Sequence, residues 1–511
     1  MTLPQTSRRA ASLLFWSGVI AVTAGVLLHL PMFIDCADMN YMMAGMEMDA
    51  GMYVGMVLIV LGTFAAGFGL LPPKRDAVPT PIQSGTGPGN GIGGEGRLTG
   101  AHWRLMLTLT FALIIDTMKP ASLGFVVPGM VREYGITRPT AAILVFGAIT
   151  GTTLGSLIWG ALADAMGRRA AILLAAIMFI GTSICGAMPS FMGNIIMCFL
   201  MGMSAGGMLP ITYTLLAEVV PARHRGWFLV LLGGFGLIAG YLAASVCAAL
   251  LEPVFGWRIL WFIGLPTGVI LVGLSRFIPE SPRFLAAQGR GAEAEAVMRR
   301  FDIPFPPAPP VSAAPAPLGF LKGPLAGTTL GLNLAAFAWG MVNFGLVLWL
   351  PSDLRARGYN VAGSDVLLAQ SALLALPTSI ITAALYARWS TRGTLILMCL
   401  LTACGLAGFA LPIKDPLLII AVLMIGANGI IAVLLPYSAE SYPLRIRGRG
   451  TGFVAGSSKF GGIVVQLVTM AAAVPPLATA AIVLALPVLA SAAVVGRFGR
   501  ETKGRRLDEV G

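Results

Sequence analysis

Long apolar stretches of similar length alternate with short polar segments along the whole chain. A helix needs roughly 20 mostly apolar residues to cross about 30 Å of hydrocarbon, and fourteen stretches reach that length. A buried soluble core would not repeat this length so often. The pattern therefore predicts an all-α integral membrane protein with about fourteen transmembrane helices. The predicted spans are 12–34, 51–72, 104–130, 140–162, 170–189, 191–217, 226–251, 257–278, 326–350, 364–386, 393–412, 416–437, 450–473 and 475–497.

Composition and charge agree with a membrane-embedded chain. Charged residues make up 11% of the 511 positions, whereas soluble domains carry about 25%. If the N-terminus is cytoplasmic, 27 of the 34 Lys and Arg fall on the cytoplasmic side and Lys119 lies within a span. The net charge of +12 is then explained by the positive-inside rule rather than by nucleic acid, which we exclude as a partner. We expect a multi-pass protein of the inner (plasma) membrane with both termini cytoplasmic. The external positive residues are Arg132, Arg138, Arg258, Arg355, Arg357 and Lys414.

Two Gly- and Pro-rich segments divide the chain. The first separates a two-helix hairpin from a twelve-span body, and the second divides that body into six and six spans. Such segments are too rich in Gly and Pro to pack as helices, so they read as linkers. The predicted parts are the hairpin with a Met-rich external loop (1–76), a cytoplasmic linker (77–103), an N-terminal six-helix half (104–278), a cytoplasmic central loop (279–323), a C-terminal six-helix half (324–497) and a basic cytoplasmic tail (498–511).

The two halves carry a visible repeat. The segments 217–226 and 439–448 match at six of ten positions, at a constant offset of 222 residues. Two parallel six-helix repeats imply a pseudo-two-fold axis along the membrane normal, with a solute site between the halves. The charged residues of the two copies are Glu218, Arg223 and Arg225 in the first, and Glu440, Arg445 and Arg447 in the second.

A third motif lies in the loop between the second and third spans of the body. It reads Gly160-Ala-Leu-Ala-Asp164-Ala-Met-Gly167-Arg168-Arg169. Gly167 permits a tight turn, while Asp164 and Arg168 can form a charge-assisted, partly buried bond where the halves meet on the cytoplasmic face. We expect this bond to hold an outward-open state and to break when the carrier changes conformation.

This loop resembles the signature of the major facilitator superfamily. Two further segments are similar to the sugar-porter branch: Pro279-Glu280-Ser281-Pro282-Arg283, and 500–505 in the tail, where Arg500 replaces a usual Pro. The resemblance covers residues 104–506. It implies a two-repeat transporter that works by alternating access on a small molecule, driven by a proton gradient without a cofactor. It also places Glu280 and Arg283 in the cytoplasmic gate with the motif residues above.

The seventh helix of the body indicates which class of substrate the transporter carries. This helix lacks the glutamine-rich motif of true sugar porters, and Asn343-Phe-Gly345 and Trp349-Leu-Pro351 look more like the aromatic-acid and organic-ion branches. We therefore predict proton-coupled uptake of an organic acid or related metabolite by a monomeric, non-enzymatic transporter. The alternatives are a proton-driven exporter, a sugar carrier, and a non-transporting sensor that binds a partner through its hairpin.

Two charges lie near the middle of the first body span. A charge at the bilayer centre costs at least about 2.5–3.5 kcal/mol, so Asp116 and Lys119 are functional candidates. Pro120 leaves the carbonyl of Asp116 without its helical donor, which predicts a kink there. In one interpretation Asp116 accepts the coupling proton and Lys119 attracts an anionic substrate; in the other the two simply neutralise each other. Softer candidates for substrate binding are Asn333, Asn343, Gln370 and Asn428, while Lys459 is predicted to join Glu440.

The external loop of the hairpin is rich in sulfur. Soft thioether and thiol ligands favour Cu(I), but methionine also fills adaptable packing contacts. We favour packing between the hairpin and the body, and we expect no metal site. The weak candidates for metal binding are Cys36, Met39, Met42, Met43, Met46 and Met48.

Overall fold

The computed structural model describes residues 8–71, 97–302, 325–411, 415–443 and 446–503. All regular structure within these ranges is helical, which confirms the predicted fold class. Most of the predicted linkers, and the end of the tail, lie outside these residues. The membrane-length helices before the central loop are α1 (Arg9–Asp35), α2 (Ala50–Leu70), α3 (Gly100–Tyr134), α4 (Arg138–Met166), α5 (Arg168–Ala187), α6 (Phe191–Val219), α7 (Arg223–Phe255) and α8 (Ile259–Phe277).

Two short helices and six further long ones follow. Ser281 caps the first short helix by accepting the backbone N–H of Phe284 at 3.1 Å. Together with α1 to α8, the six long helices give fourteen of membrane-spanning length and apolarity within the described residues, as predicted. The short helices are α9 (Pro282–Ala287) and α10 (Gly291–Phe301). The long ones are α11 (Ala326–Ala356), α12 (Val361–Arg388), α13 (Thr391–Gly408), α14 (Leu417–Ser441), α15 (Arg447–Met470) and α16 (Leu477–Phe498).

Apolar side chains cover the outside of these helices as well as their contacts. Leu107, Leu157 and Leu250 are each about two-thirds exposed or more. In water such a surface would be unfavourable, but lipid tails are as apolar as leucine. Because every helical backbone group is bonded within its own segment, helices of this kind can cross the bilayer without unsatisfied polar groups.

Small residues allow α1 and α2 to pack closely as an antiparallel pair. A Cβ atom placed on Gly25 would lie 2.6 Å from the carbonyl oxygen of Gly55, and one on Gly18 would lie 2.5 Å from that of Gly62. Close backbone approach through small residues is the usual way in which membrane helices associate. The pair also meets α5, where Ile59 lies 2.9 Å from the Cβ position of Gly181.

The Met-rich loop packs against the body. Phe33, at the end of α1, contacts Phe262 of α8 with ring centroids 5.1 Å apart, and the N–H of Gly45 donates to the carbonyl of Pro189 at 3.1 Å. Cys36 and Met43 are fully buried. These contacts agree with the predicted packing role. The sulfurs of Cys36 and Met46 lie 3.5 Å apart, whereas Met39 and Met42 are about half exposed.

By their contacts the helices form two compact units. The first comprises residues 1–116, 151–225 and 258–308, and the second comprises 117–150, 226–257 and 309–511. The second unit thus joins parts of α3, α4 and α7 to the helices of the C-terminal half. The chain passes from one unit to the other within α3, directly after Asp116, and within α4, directly after Thr150.

Candidate functional site

The two intramembrane charges lie in the middle of α3. Asp116 is 8% exposed and Lys119 is 2% exposed, so both are removed from bulk solvent. The helix runs from Gly100 to Tyr134 without interruption, which confirms that both residues lie inside a membrane-length helix. Residues three apart lie on the same face of a helix. A carboxylate and an ammonium group are therefore held on one face, deep in the span.

Pro120 does not interrupt this helix, and the predicted kink there stays a prediction. A departure from α-helical geometry does occur in α11. In α11, a π-helical turn covers Val342–Val347 and contains Asn343 and Phe344. Single π-helical turns occur often at functional sites. The side-chain amide of Gln466, on α15, donates to the carbonyl of Phe344 at 2.7 Å and so satisfies a backbone group of the turn. No pattern in the sequence pointed to Gln466.

Lys459 lies beside the same turn. It occupies the middle of α15, is partly exposed, and its ammonium group lies 5.5 Å from the centre of the Phe344 ring. Trp339 also contacts the Phe344 ring, edge to face, with centroids 6.0 Å apart. The sequence favoured a bond from Lys459 to Glu440, which stays a prediction, and the structure adds the ring contact. A lysine over an aromatic face is a cation–π contact.

Two of the four softer candidates form helix-to-helix hydrogen bonds. Asn333 accepts from the hydroxyl of Ser457 at 2.6 Å, and Asn428 donates to the carbonyl of Gly234 at 2.8 Å. These bonds favour a structural role for both. Gln370 is exposed on α12, while Asn343 is partly exposed within the π-helical turn.

Motifs from three predicted cytoplasmic loops converge in the first unit. The guanidinium of Arg168 lies 3.4 Å from Asp164 and 3.5 Å from Glu218. Glu218 is buried and accepts the hydroxyl of Ser281. Asp164 was expected to be partly buried, but its side chain is 79% exposed. Arg168 therefore contacts one exposed acid, Asp164, and one acid whose side chain is 7% exposed, Glu218.

Glu280 fixes the start of α5. It accepts the backbone N–H of Arg168 at 2.7 Å and that of Arg169 at 3.4 Å, as an acidic group at a helix N-terminus should. Burial raises the pKa of the Glu280 carboxyl, although these N–H groups act in the opposite direction. Gly167 has φ +102°, and a Cβ there would meet the Glu280 carboxylate at 2.4 Å. The glycine is thus required both for the turn and for the carboxylate.

The second unit contains the repeat of this cluster. Glu440 accepts the hydroxyls of Tyr386 at 2.7 Å and Thr502 at 2.8 Å. Glu501 accepts the N–H of Thr391, at the start of α13, at 3.0 Å. Glu440 and Thr502 therefore correspond to Glu218 and Ser281, and Glu501 corresponds to Glu280. The repeat seen in the sequence extends to side-chain contacts.

Hydrogen bonds keep the carboxyl group of Glu501, in the tail, ionised at this contact. Burial acts to raise the pKa of Glu501, but the hydroxyls of Ser390 and Thr391 outweigh it and lower the pKa to about 2. Because the folded value lies below the ordinary one, the contact stabilises the fold above the ordinary pKa. It is lost only as the pH falls towards the folded value.

The other predicted gate residues are more dispersed. Gly160, Arg223 and Arg283 are exposed, while Arg169, Arg225 and Arg447 are partly buried. Arg445 lies outside the described residues. The gating role of the whole set stays a prediction.

A set of charges at the opposite helix ends was missed by the sequence reasoning. Arg138, at the start of α4, bonds Asp353 near the end of α11 at 2.6 Å. Arg355 binds Glu252 of α7 and Asp365 of α12. The two arginines were counted only as loop charges that set topology, and the three acids were not singled out. Arg258, counted in the same way, is fully buried and donates to the carbonyls of Gly186 and Met188.

The profile of the Major Facilitator Superfamily matches residues 105–466. This match covers most of the chain, including the repeat, α3 and the π-helical turn. The chain belongs to the Major Facilitator Superfamily. Its function is therefore membrane transport rather than catalysis, as predicted.

Three named transporters are similar in sequence to this chain. The chain is 28% identical over 430 residues to the niacin transporter NiaP of Acinetobacter baylyi, covering 80% of this chain and 96% of that protein. It is 26% identical to the benzoate transport protein of the same organism, covering 73% and 84%. It is 27% identical to the 4-hydroxybenzoate transporter PcaK of Pseudomonas aeruginosa, covering 71% and 84%.

A solved superfamily structure shows the same fold. The proton:xylose symporter XylE, bound to a bromodeoxyglucose, aligns with a TM-score of 0.66 at 17% identity, covering 81% of this chain and 99% of that one. An inward-open structure of XylE from Escherichia coli aligns at 0.61 with 17% identity, covering 80% and 99%. The hairpin α1–α2 precedes the part matched by the superfamily profile.

The different exposure of Asp164 and Glu218 predicts that substitutions of these two acids destabilise the protein to different extents. Asp164→Asn removes an exposed partner and should change the free energy of unfolding by less than about 0.5 kcal/mol. Glu218→Gln weakens two contacts of a buried carboxylate and should cost about 1–3 kcal/mol. Thermal unfolding of the detergent-solubilised protein measures both. Equal losses in the two variants would show that Asp164 and Glu218 hold Arg168 equally.

Proposed function

We propose that this transporter takes up a small aromatic carboxylate together with a proton, by alternating access. The observation that carries the proposal is the buried Asp116 and Lys119 on one face of α3. Niacin, benzoate and 4-hydroxybenzoate, named for the relatives, share a carboxylate on an aromatic ring. The likeness supports this substrate class, and the pair of charges supplies a physical reason for coupling.

Charge balance accounts for the coupling. When Asp116 is ionised, its carboxylate balances the charge of Lys119, so the binding of a second anion is unfavourable. Protonation of Asp116 removes one buried negative charge from this face of α3, and binding of a substrate carboxylate restores the charge balance. One proton and one anion therefore bind together or not at all. The energy comes from the proton gradient, and no cofactor is required.

The distribution of positive charge supports an orientation in the membrane. We place both termini in the cytoplasm of a cell whose plasma membrane holds the protein, because the basic loops lie on that side. On this topology the exposed Arg357 faces outward, and an Arg357→Cys variant should react with an impermeant thiol reagent in intact cells. Failure to react would indicate that Arg357 faces the cytoplasm and that the protein has the opposite orientation. We expect the monomer to be the working unit.

A selectivity experiment tests the anion site. Counterflow exchange is measured in Asp116→Asn and in Asp116→Asn/Lys119→Gln, with benzoate and its uncharged amide competing against labelled benzoate. The first variant keeps Lys119 and should prefer the carboxylate. The second should lose about 10- to 100-fold of that preference, the value of one charge-assisted hydrogen bond.

The matched control replaces the other lysine in the middle of a helix. Asp116→Asn/Lys459→Gln removes a partly exposed lysine that contacts an aromatic ring, and it should keep the preference for the carboxylate. If this variant loses the preference and the Lys119 variant retains it, the anion site lies at Lys459. If neither loses it, the substrate is not recognised through a lysine in these spans.

A further inference from the structure

A buried triad of charges links three helices of the second unit. The guanidinium of Arg355, on α11, donates to both carboxylate oxygens of Glu252 on α7, at 2.9 and 3.0 Å. It also donates to both oxygens of Asp365 on α12, at 3.1 Å each. The side chains of Arg355, Glu252 and Asp365 are 11%, 4% and 0% exposed. The bond to Glu252 is bidentate, with one nitrogen of the guanidinium on each oxygen, which is the strongest form of such a bond. Both oxygens of Asp365 are contacted by the single nitrogen Nη2.

The charges of this triad do not balance. Two carboxylates share one guanidinium, and arginine does not lose its proton in proteins. If both acids were ionised, one net negative charge would remain almost fully buried. An uncompensated buried charge costs several kcal/mol in general, and a buried acid commonly avoids this cost by binding a proton.

Among the residues that the structure describes, the groups near the triad do not supply the missing positive charge. Ser364, on α12, donates its hydroxyl to Asp365 at 3.0 Å but is neutral. Tyr241 of α7 lies within electrostatic range of Asp365 and is uncharged as a phenol. Arg138 of α4 is bonded to Asp353 at 2.6 Å. Arg357 acts electrostatically on Asp353 and is exposed, and Glu133 of α3 accepts from Trp257.

We propose that the triad of Glu252, Arg355 and Asp365 binds one proton, shared between its two carboxyl groups, and that it is a latch whose closed form needs that proton. The latch joins α7 of the N-terminal half to α11 and α12 of the C-terminal half, at the ends that the charge distribution places outside. The triad is separate from Asp116, so the inference does not depend on the proposed coupling site.

A direction of pH dependence follows. With the proton bound, the closed triad is neutral and all three helices stay joined. When the proton leaves, the buried negative charge favours separation, which gives both acids access to water. Acidic conditions outside therefore stabilise the closed end, and alkaline conditions favour its opening.

Infrared difference spectroscopy on the purified full-length protein tests for this proton. A protonated carboxyl has a C=O stretch that an ionised one lacks, so a pH jump reveals a buried carboxylic acid that titrates. The measurement is made in the Asp116→Asn background, which removes the contribution of that residue. We expect a titrating band that vanishes both in Asp365→Asn and in Glu252→Gln, because either change leaves one ionised acid paired with Arg355.

The matched control is Asp353→Asn, which removes an acid from the neighbouring pair. That pair has one acid and one base, so it needs no proton, and the band should persist. Both triad variants should fold, since each removes the excess negative charge, and their melting temperatures should fall less with rising pH than that of the parent. A band that persists in both triad variants would overturn the proposal, as would an unchanged pH dependence of their melting temperatures. Loss of the band only in Asp353→Asn would show that the proton is bound by the pair of Arg138 and Asp353, and it would likewise overturn the proposal.

Discussion

Asp116→Asn is expected to abolish accumulation against a gradient while counterflow exchange continues. Asparagine mimics the protonated carboxyl permanently, so Lys119 remains available to the substrate but no proton can be released. Exchange needs only the loaded site, whereas uphill transport needs the complete proton cycle. In proteoliposomes with an imposed pH gradient, the ratio of internal to external labelled benzoate should fall to about 1, because each tenfold of accumulation requires about 1.4 kcal/mol of coupled energy.

The double variant Asp116→Asn/Lys119→Gln distinguishes coupling from simple charge neutralisation. If Asp116 only neutralised Lys119, the single change would leave an unpaired buried lysine and would damage folding. Removing both charges would then restore accumulation. Under the proposed mechanism the double variant stays inactive for uphill transport. Wild-type accumulation by the double variant would exclude Asp116 as the proton carrier.

Arg355→Met is expected to be the most destabilising single change described. It leaves Glu252 and Asp365 buried without their shared partner, and removing one member of a buried ion pair costs about 3–5 kcal/mol. Thermal unfolding in detergent should show a large fall in melting temperature. The control is Arg357→Met, two residues along the same segment, where the side chain is exposed and the expected change is below about 1 kcal/mol.

Restoring the charge balance should recover most of this loss. The triple variant Arg355→Met/Glu252→Gln/Asp365→Asn contains no buried charge in the triad, and replacing a whole buried cluster by neutral groups is often nearly neutral for stability. If the triple variant is as unstable as Arg355→Met, packing of the arginine stem rather than its charge holds the helices together. If Arg355→Met itself unfolds like the wild type, the triad contributes nothing to stability.

The helices were predictable because the bilayer imposes one physical requirement on all of them. Each must present a run of apolar residues about as long as the hydrocarbon is thick, and the fourteen predicted spans overlap the fourteen observed helices. The loop motifs were predictable for a similar reason. Positive φ at Gly167 and an acid such as Glu280 at a helix start are local requirements that a sequence displays directly.

The external charges were not predictable from the same patterns. Arg355 bonds a residue 103 positions away, and nothing local distinguishes it from an arginine that only sets topology. Its partner Asp365 follows a loop, where an acid is unremarkable in a sequence. The exposure of Asp164 was likewise hidden, since the sequence does not show that Arg168 also contacts the buried Glu218. The contact of Lys459 with the Phe344 ring was also hidden, because the two residues lie on different helices that are far apart in the sequence.

Proton-driven accumulation of an aromatic carboxylate by the purified protein is the deciding measurement for the proposed function. Proteoliposomes are given labelled benzoate or niacin outside, at a pH below that of the lumen, and the internal concentration is followed with time. We expect uptake above the external concentration, collapse of this accumulation when a protonophore dissipates the gradient, and no accumulation by Asp116→Asn. Uptake that only equilibrates, and at the same rate with and without the pH gradient, would exclude proton-coupled uptake.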